Sequence, residues 1–273
     1  MIKDALLTGV KFYRYERHHE ANWFFATKRA LGRASLYCRR YLAGNRPAGY
    51  PTTGYALYDH PLLVSYSRSG TNWIRYVIET ISGSPTPGQN RVHEGQDYVI
   101  DRAHCGFPEM EFHPEVLLLI RDYRECLVRH HQRSWHPQDD VEEFLEDKMV
   151  DQSPTWYIKN IKEFEKYDGK KEVIYYENEI LKNPIKSVKK TASFLSLDPE
   201  RTEKFINNVD EHVKRSVGLY KEGGHSSSTA ESKDSMHHAK KNLTTKQLRD
   251  FDEYYSSRYP KIFEKYLSVY DSR

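Results

Sequence analysis

Leu63-Val-Ser-Tyr-Ser-Arg-Ser-Gly-Thr-Asn-Trp73 sets a short apolar run, a turn of small polar residues and the start of a helical pattern in direct succession. The run, Pro61–Tyr66, has the length of a strand. Beyond the turn Trp73, Val77 and Ile81 recur at i+4, and Ile74 and Ile78 complete the stripe. Gly83 and Pro85 stop that helix. A helix that begins where a strand has just ended presents free backbone N–H groups and the positive end of its dipole. Gly70 lets an anion oxygen come close to the backbone; Ser69, Thr71 and Asn72 add hydroxyl or amide bonds, and Arg68 adds a fixed charge. That is the chemistry of an anion cradle. The same residues would also serve as an ordinary capped turn. The Walker A pattern (Gly-x4-Gly-Lys-Ser/Thr) and the Gly-x-Gly-x-x-Gly fingerprint are both absent, which disfavours an ordinary ATPase or dinucleotide reader.

Further along, three more apolar runs of strand length follow: Tyr98–Ile100, leading to Asp101-Arg-Ala-His104; Val116–Ile120, ending at Arg121; and Glu172–Tyr176, ending at Glu177. Helical spacing fills the intervals at Arg124–Trp135, Val141–Lys148, Thr155–Tyr167 and Pro184–Leu195. Short continuous strands alternating with helices predict an α/β fold with a parallel sheet covered on both faces. Residues Lys214–Lys241 read as a long polar loop of the kind that often serves as a lid, and Thr245–Tyr266 as a final helix. The domain reading is a basic, aromatic-rich helical segment at 1–50, then a linker and a single α/β domain at 55–273. There is no internal repeat and no heptad run.

Composition narrows the class. No apolar run approaches the ~20 residues that span a bilayer. Met1–Arg14 lacks the apolar core of a signal peptide, so none is expected. Three cysteines, Cys38, Cys105 and Cys126, are too scattered for a disulfide framework or a zinc module, which points to a reducing, cytoplasmic setting. Net charge is only +3, yet residues 1–50 hold ten basic side chains against three acids. Such a stretch is either a solvated helical face or a contact for an anionic ligand, a membrane surface or nucleic acid.

Tyr66-Ser-Arg-Ser-Gly-Thr-Asn-Trp73 resembles the 5′-phosphosulfate loop of sulfotransferases that use 3′-phosphoadenosine 5′-phosphosulfate (PAPS), usually Tyr-Pro-Lys-Ser-Gly-Thr-x-Trp. Ser67 replaces the proline and Arg68 the lysine. Leu118-Leu-Ile-Arg-Asp-Tyr-Arg-Glu-Cys-Leu-Val-Arg129 is similar to the 3′-phosphate motif Arg-Asn-Pro-x-Asp-x-x-x-Ser, with Asp122-Tyr123 for Asn-Pro and Arg129 for serine. Tyr175-Tyr-Glu-Asn178 with Asn183-Pro184 resembles the Tyr-Glu-Asp-Leu…Pro segment. His104 falls where the family carries its catalytic base in Lys-Thr-His. The similarity spans roughly residues 60–245 in the family's order. It implies a P-loop-like three-layer fold with a central parallel sheet flanked by helices. It also accords with the rule that ligands bind beyond the carboxyl ends of parallel strands, where all four segments fall.

The resemblance implies a sulfotransferase that moves a sulfuryl group from PAPS to a hydroxyl or amine, with PAP (3′-phosphoadenosine 5′-phosphate) as product and no metal. Arg68 would stabilise charge on the breaking phosphate–sulfate bridge. Ser67, Ser69, Gly70, Thr71 and Asn72 would hold the 5′-phosphate; Trp73 would stack on the adenine; Arg121 and Arg129 would grip the 3′-phosphate, and Tyr176 joins the nucleotide set. His104 is the candidate base, with Glu94 and Glu177 as alternatives. In Met236-His-His-Ala-Lys-Lys-Asn-Leu-Thr244, Lys240 and Lys241 either touch the 3′-phosphate or belong to a solvated basic loop. The acceptor would be a small molecule or a glycan, not nucleic acid; no transmembrane segment is expected, and the basic segment allows peripheral membrane contact. Competing readings are a P-loop-like kinase or nucleotide hydrolase and an inactive PAP/PAPS-binding protein. His130-His131 and His237-His238 lack a third ligand at useful spacing and read as surface residues.

Overall fold

The computed structural model describes residues 60–86, 98–104, 109–131, 140–146, 153–219 and 243–270. The segment 1–50, the linker, Glu94, Cys38, Cys105, His237, His238, Lys240 and Lys241 lie outside the described residues. Four strands form one sheet: β1 (Leu62–Ser65), β2 (Asp101–Ala103), β3 (Glu115–Ile120) and β4 (Lys170–Tyr175). Their order is β2-β1-β3-β4 and every pairing is parallel.

β1 and β3 occupy the middle and are almost wholly buried, which is why both read as unbroken apolar runs rather than alternating ones. The pleat sends successive side chains to opposite faces. Leu62, Val64, Val116, Leu118 and Ile120 face α2 (Tyr123–His130), α3 (Val141–Glu146) and α4 (Thr155–Lys166). Leu63, Leu117, Leu119 and Ile174 face α1 (Thr71–Ser82), α5 (Pro184–Leu195) and α6 (Pro199–Asn207). Burying each such aliphatic side chain contributes roughly 1.5–3 kcal/mol, so the two faces supply the main drive for folding. The three-layer α/β arrangement is the one expected from the sequence.

Several boundaries differ from expectation. The second strand is Asp101–Ala103, not Tyr98–Ile100; Ile100 is buried before the strand starts, and the paired residues are half-polar because β2 is a sheet edge. Tyr176 is no longer strand but opens a π-helical turn, Tyr176–Leu181. Two helices went unread, α6 and α7 (Val209–Leu219), although Asp198 caps α6 and Pro199 occupies its first turn. The polar stretch assigned to a loop from Lys214 onward is thus helical as far as Leu219. The last helix, α8 (Thr245–Arg258), breaks at Tyr259-Pro260, because proline removes a backbone donor and clashes with the preceding turn. A short helical piece Pro260–Ile262 and a π turn Phe263–Leu267 follow.

At the carboxyl ends, β1 leads through α1 to β2 on one side, whereas β3 leads through α2–α4 to β4 on the other. The connections leave neighbouring strands in opposite directions and from opposite faces. That is a topological switch point, the place where an open parallel sheet leaves a crevice for a ligand.

Candidate nucleotide and sulfuryl-transfer site

The loop after β1 turns tightly. Ser69 N–H donates to the Tyr66 carbonyl at 3.2 Å, and Trp73 N–H to the Gly70 carbonyl at 3.0 Å. Arg68 at φ 68° and Gly70 at φ 90° both lie in the left-handed region. Beneath the turn, the hydroxyls of Ser65 and Thr71 bond at 2.7 Å, and Ser69 Oγ lies 3.4 Å from Cys126 Sγ. Burial pushes the Cys126 thiol up to about 12, so it is an inert packing group here. Ser67, Ser69 and Thr71 are buried while Asn72 is exposed.

α2, α5, α6 and α8 each begin with a side chain accepting a backbone N–H (Asp122, Asn183, Asp198 and Thr244). No side chain caps α1, and its first turn holds no acid. The first N–H groups and the helix dipole therefore face the loop beside Arg68.

Three guanidinium groups gather here. Arg121, the first residue after β3, donates from Nη1 to the Arg68 carbonyl at 2.7 Å. It is only 2% exposed, with Glu125 at 3.5 Å, Glu177 at 3.8 Å and its charge 4.3 Å from the centre of the Tyr176 ring. Arg129 lies 4.0 Å from Glu125. Burial, together with the charge of Arg129, lowers the pKa of Arg68. Like charges held close together and partly out of water favour an anion between them. Tyr176 lies so close over Gly70 that a Cβ there would fall 2.2 Å from its ring.

His104 follows β2 directly. Its Nδ1 donates to the Ser65 carbonyl at 3.0 Å, which leaves the Nε2 lone pair unprotonated in the neutral tautomer. Burial, then the charge of Arg102, lowers its pKa to about 4. The expected site residues on the ends of β1, β2 and β3 are thus brought together.

Trp73 is 7% exposed, donates its indole N–H to Ser187 Oγ at 2.9 Å, and packs against Tyr76 and Phe205. Glu177, an alternative base in the sequence, accepts the Asp122 N–H at 3.1 Å, an interaction that secures the β3–α2 corner. Asp122-Tyr123, where the related motif has Asn-Pro, is explained by packing. Asp122 caps α2 and pairs with Arg124, and Tyr123 donates to Asp252 in the core. His131 is buried and bonds Tyr66 at 2.9 Å rather than lying at the surface. Asn160 and Tyr157 were not singled out by the sequence. Asn160 bonds the His104 carbonyl at 2.9 Å and Tyr157 the Arg121 carbonyl at 2.7 Å. The one available signal was a polar residue within the apolar stripe of α4. Among the described residues no group of three or more His, Cys, Asp or Glu could hold a metal, and no helix is long and apolar enough to cross a membrane.

A parallel sheet with its switch point beside an uncapped helix, a left-handed turn and clustered arginines defines a P-loop-like α/β protein. The sequence model of the sulfotransferase domain matches residues 107–263, more than half of the chain, and the chain belongs to that family. The match takes in Arg121, Arg129 and Tyr176 and begins after the Ser67–Trp73 loop and His104. The crystal structure of mouse sulfotransferase SULT7A1 complexed with PAP shares the fold, with a TM-score of 0.52 and 22% identity over 80% of this chain and 91% of that one. No curated protein sequence matches.

Proposed function

We propose that this chain transfers a sulfuryl group from PAPS to a hydroxyl or amine of a small-molecule or glycan acceptor, in a cytoplasmic setting. The observation that carries the reading is the bond from Arg121 to the Arg68 carbonyl, because it joins the loop after β1 and the motif after β3 into one cationic cradle. Ser67–Asn72 with the N-terminus of α1 would hold the 5′-phosphate, and Arg121 and Arg129 the 3′-phosphate. Tyr176 and Trp73 would border the base. Lys240 and Lys241 are proposed as further 3′-phosphate contacts. The donor supplies an activated sulfur and a good leaving group.

The chain's own residues supply the rest. His104 Nε2 takes the proton of the acceptor hydroxyl while the acceptor oxygen bonds to sulfur. The bond from sulfur to the bridging oxygen breaks, and its electron pair leaves on the phosphate of PAP. Arg68 faces the charge that develops on that oxygen. No metal is required in this scheme, since the transferred group is less negative than a phosphoryl and Arg68 supplies the local charge.

Calorimetric titration with PAP in the absence of Mg2+ tests the site. Wild type is expected to bind, and both Arg121→Ala and Arg129→Ala to bind more weakly. Arg129, partly exposed, is the more informative change, because removing Arg121 strips a buried partner from two carboxylates. If wild type ignores PAP but takes up ATP with Mg2+, the chain is a kinase or hydrolase. If PAP binds but PAPS is never consumed across an acceptor screen, it is a binding protein.

A further inference from the structure

Two buried polar side chains stand one turn apart on α4. Tyr157 and Asn160 sit among Ile158, Ile161 and Phe164, and Asn160 is only 2% exposed. Residues three apart share a helix face. An asparagine inside a helix is a poor helix former, and a buried amide is costly unless bonded, so an apolar side chain would suit both the helix and the core better. What these two residues do instead is donate hydrogen bonds to main-chain oxygens. Tyr157 Oη bonds the Arg121 carbonyl at 2.7 Å, and Asn160 Nδ2 bonds the His104 carbonyl at 2.9 Å. Arg121 and His104 are the first residues beyond β3 and β2, where strand pairing stops holding the chain.

We propose that Tyr157 and Asn160 are positioning residues. Tyr157 holds the backbone of the nucleotide-gripping Arg121, Asn160 holds that of the base His104, and one rigid helix thereby fixes the distance between the two halves of the site. The inference rests on the roles given above to Arg121 and His104. Burial raises the Tyr157 phenol well above its ordinary pKa, so it remains a donor at every working pH.

The two residues predict separable defects in the full chain. Asn160→Leu is expected to lower kcat about tenfold or more with PAP affinity within about twofold of wild type, since a small displacement of a reacting group is costly. Tyr157→Phe is expected to weaken PAP binding several-fold with the smaller effect on kcat. Adding Asn160→Leu to His104→Ala should cause little further loss, because the catalytic effect of Asn160 runs through the His104 main chain. If Asn160→Leu does not fold, Asn160→Asp retains the shape but replaces the donor with an acceptor. Its kcat should recover as the pH is lowered and the buried carboxyl becomes a donor, a recovery wild type would not show. Loss of PAP affinity in step with kcat for Asn160→Leu, losses that multiply in the double variant, or Asn160→Asp with no recovery would each overturn the proposal. Full turnover by His104→Ala would instead remove the base assignment, whatever the variants at 160 show.

Discussion

At Gly70 two separate demands coincide: a φ of 90° that only glycine adopts without strain, and a Tyr176 ring that leaves no room for a Cβ. Arg68, two residues earlier, meets the first of these with a long side chain at φ 68°. A left-handed residue with a Cβ costs roughly 1–2 kcal/mol, and repulsion from Arg129 adds to it. Strain of this kind clusters at functional sites, in keeping with the role proposed for Arg68. Arg68→Gly is therefore expected to leave urea stability equal or higher, by about 1 kcal/mol, while lowering turnover by about a hundredfold. Parallel denaturation and steady-state kinetics check both halves. His104 gives the pH prediction. Its pKa is held at about 4 against an ordinary 6.5, so above pH 6.5 it is neutral in the folded and unfolded chain alike. Between those values the unfolded chain takes up a proton that the folded one refuses. Its contribution to stability is thus present above pH 6.5 and lost as the pH falls through 4. The acid limb of kcat/KM should lie well below pH 6.5; a limb at 6.5 or higher would contradict a neutral, buried base.

Among the elements, α2 and α8 are joined by a buried ion cluster. Arg124 is fully buried between Asp122 at 2.9 Å and Asp252 at 3.0 Å, Tyr123 also donates to Asp252, and the Tyr270 carbonyl accepts from Arg124. Breaking such a pair leaves an uncompensated charge, so Asp252→Ala should cost about 3–5 kcal/mol in urea unfolding. The same change should leave PAP affinity little altered once the protein is folded. Nothing in the sequence paired Arg124 with a residue 128 positions away. The strand, turn and helix around Ser67–Asn72 were legible because strand, breaker and stripe follow within a dozen residues. β2 was read three residues early because the eye follows Tyr98-Val-Ile100, whereas an edge strand is chosen by pairing with β1 and tolerates Asp101 and Arg102. The π turn at Tyr176 had no periodic signal at all. Asn160 was invisible as a functional residue because its partner is a backbone oxygen, and main-chain acceptors leave no trace in the residue pattern.

For the whole molecule, the candidate site arises where β1 and β3 lie side by side with their connections departing in opposite directions. Residues from four distant segments meet at one rim, so a nucleotide there would bridge both halves of the sheet and bind only the folded chain. PAP at about 100 times its Kd should raise stability by about 2.7 kcal/mol, read as an upward shift in Tm. The shift should shrink with added salt, since its source is a set of cations, and persist in EDTA. The helix α4 adds a consequence for descent. Its bonds to positions 104 and 121 end on peptide oxygens, which every amino acid carries. A lineage could therefore exchange the histidine for a carboxylate, or retune the arginine, without losing the geometry that holds either. The frame is inherited in the main chain, and the chemistry mounted on it is left open to variation.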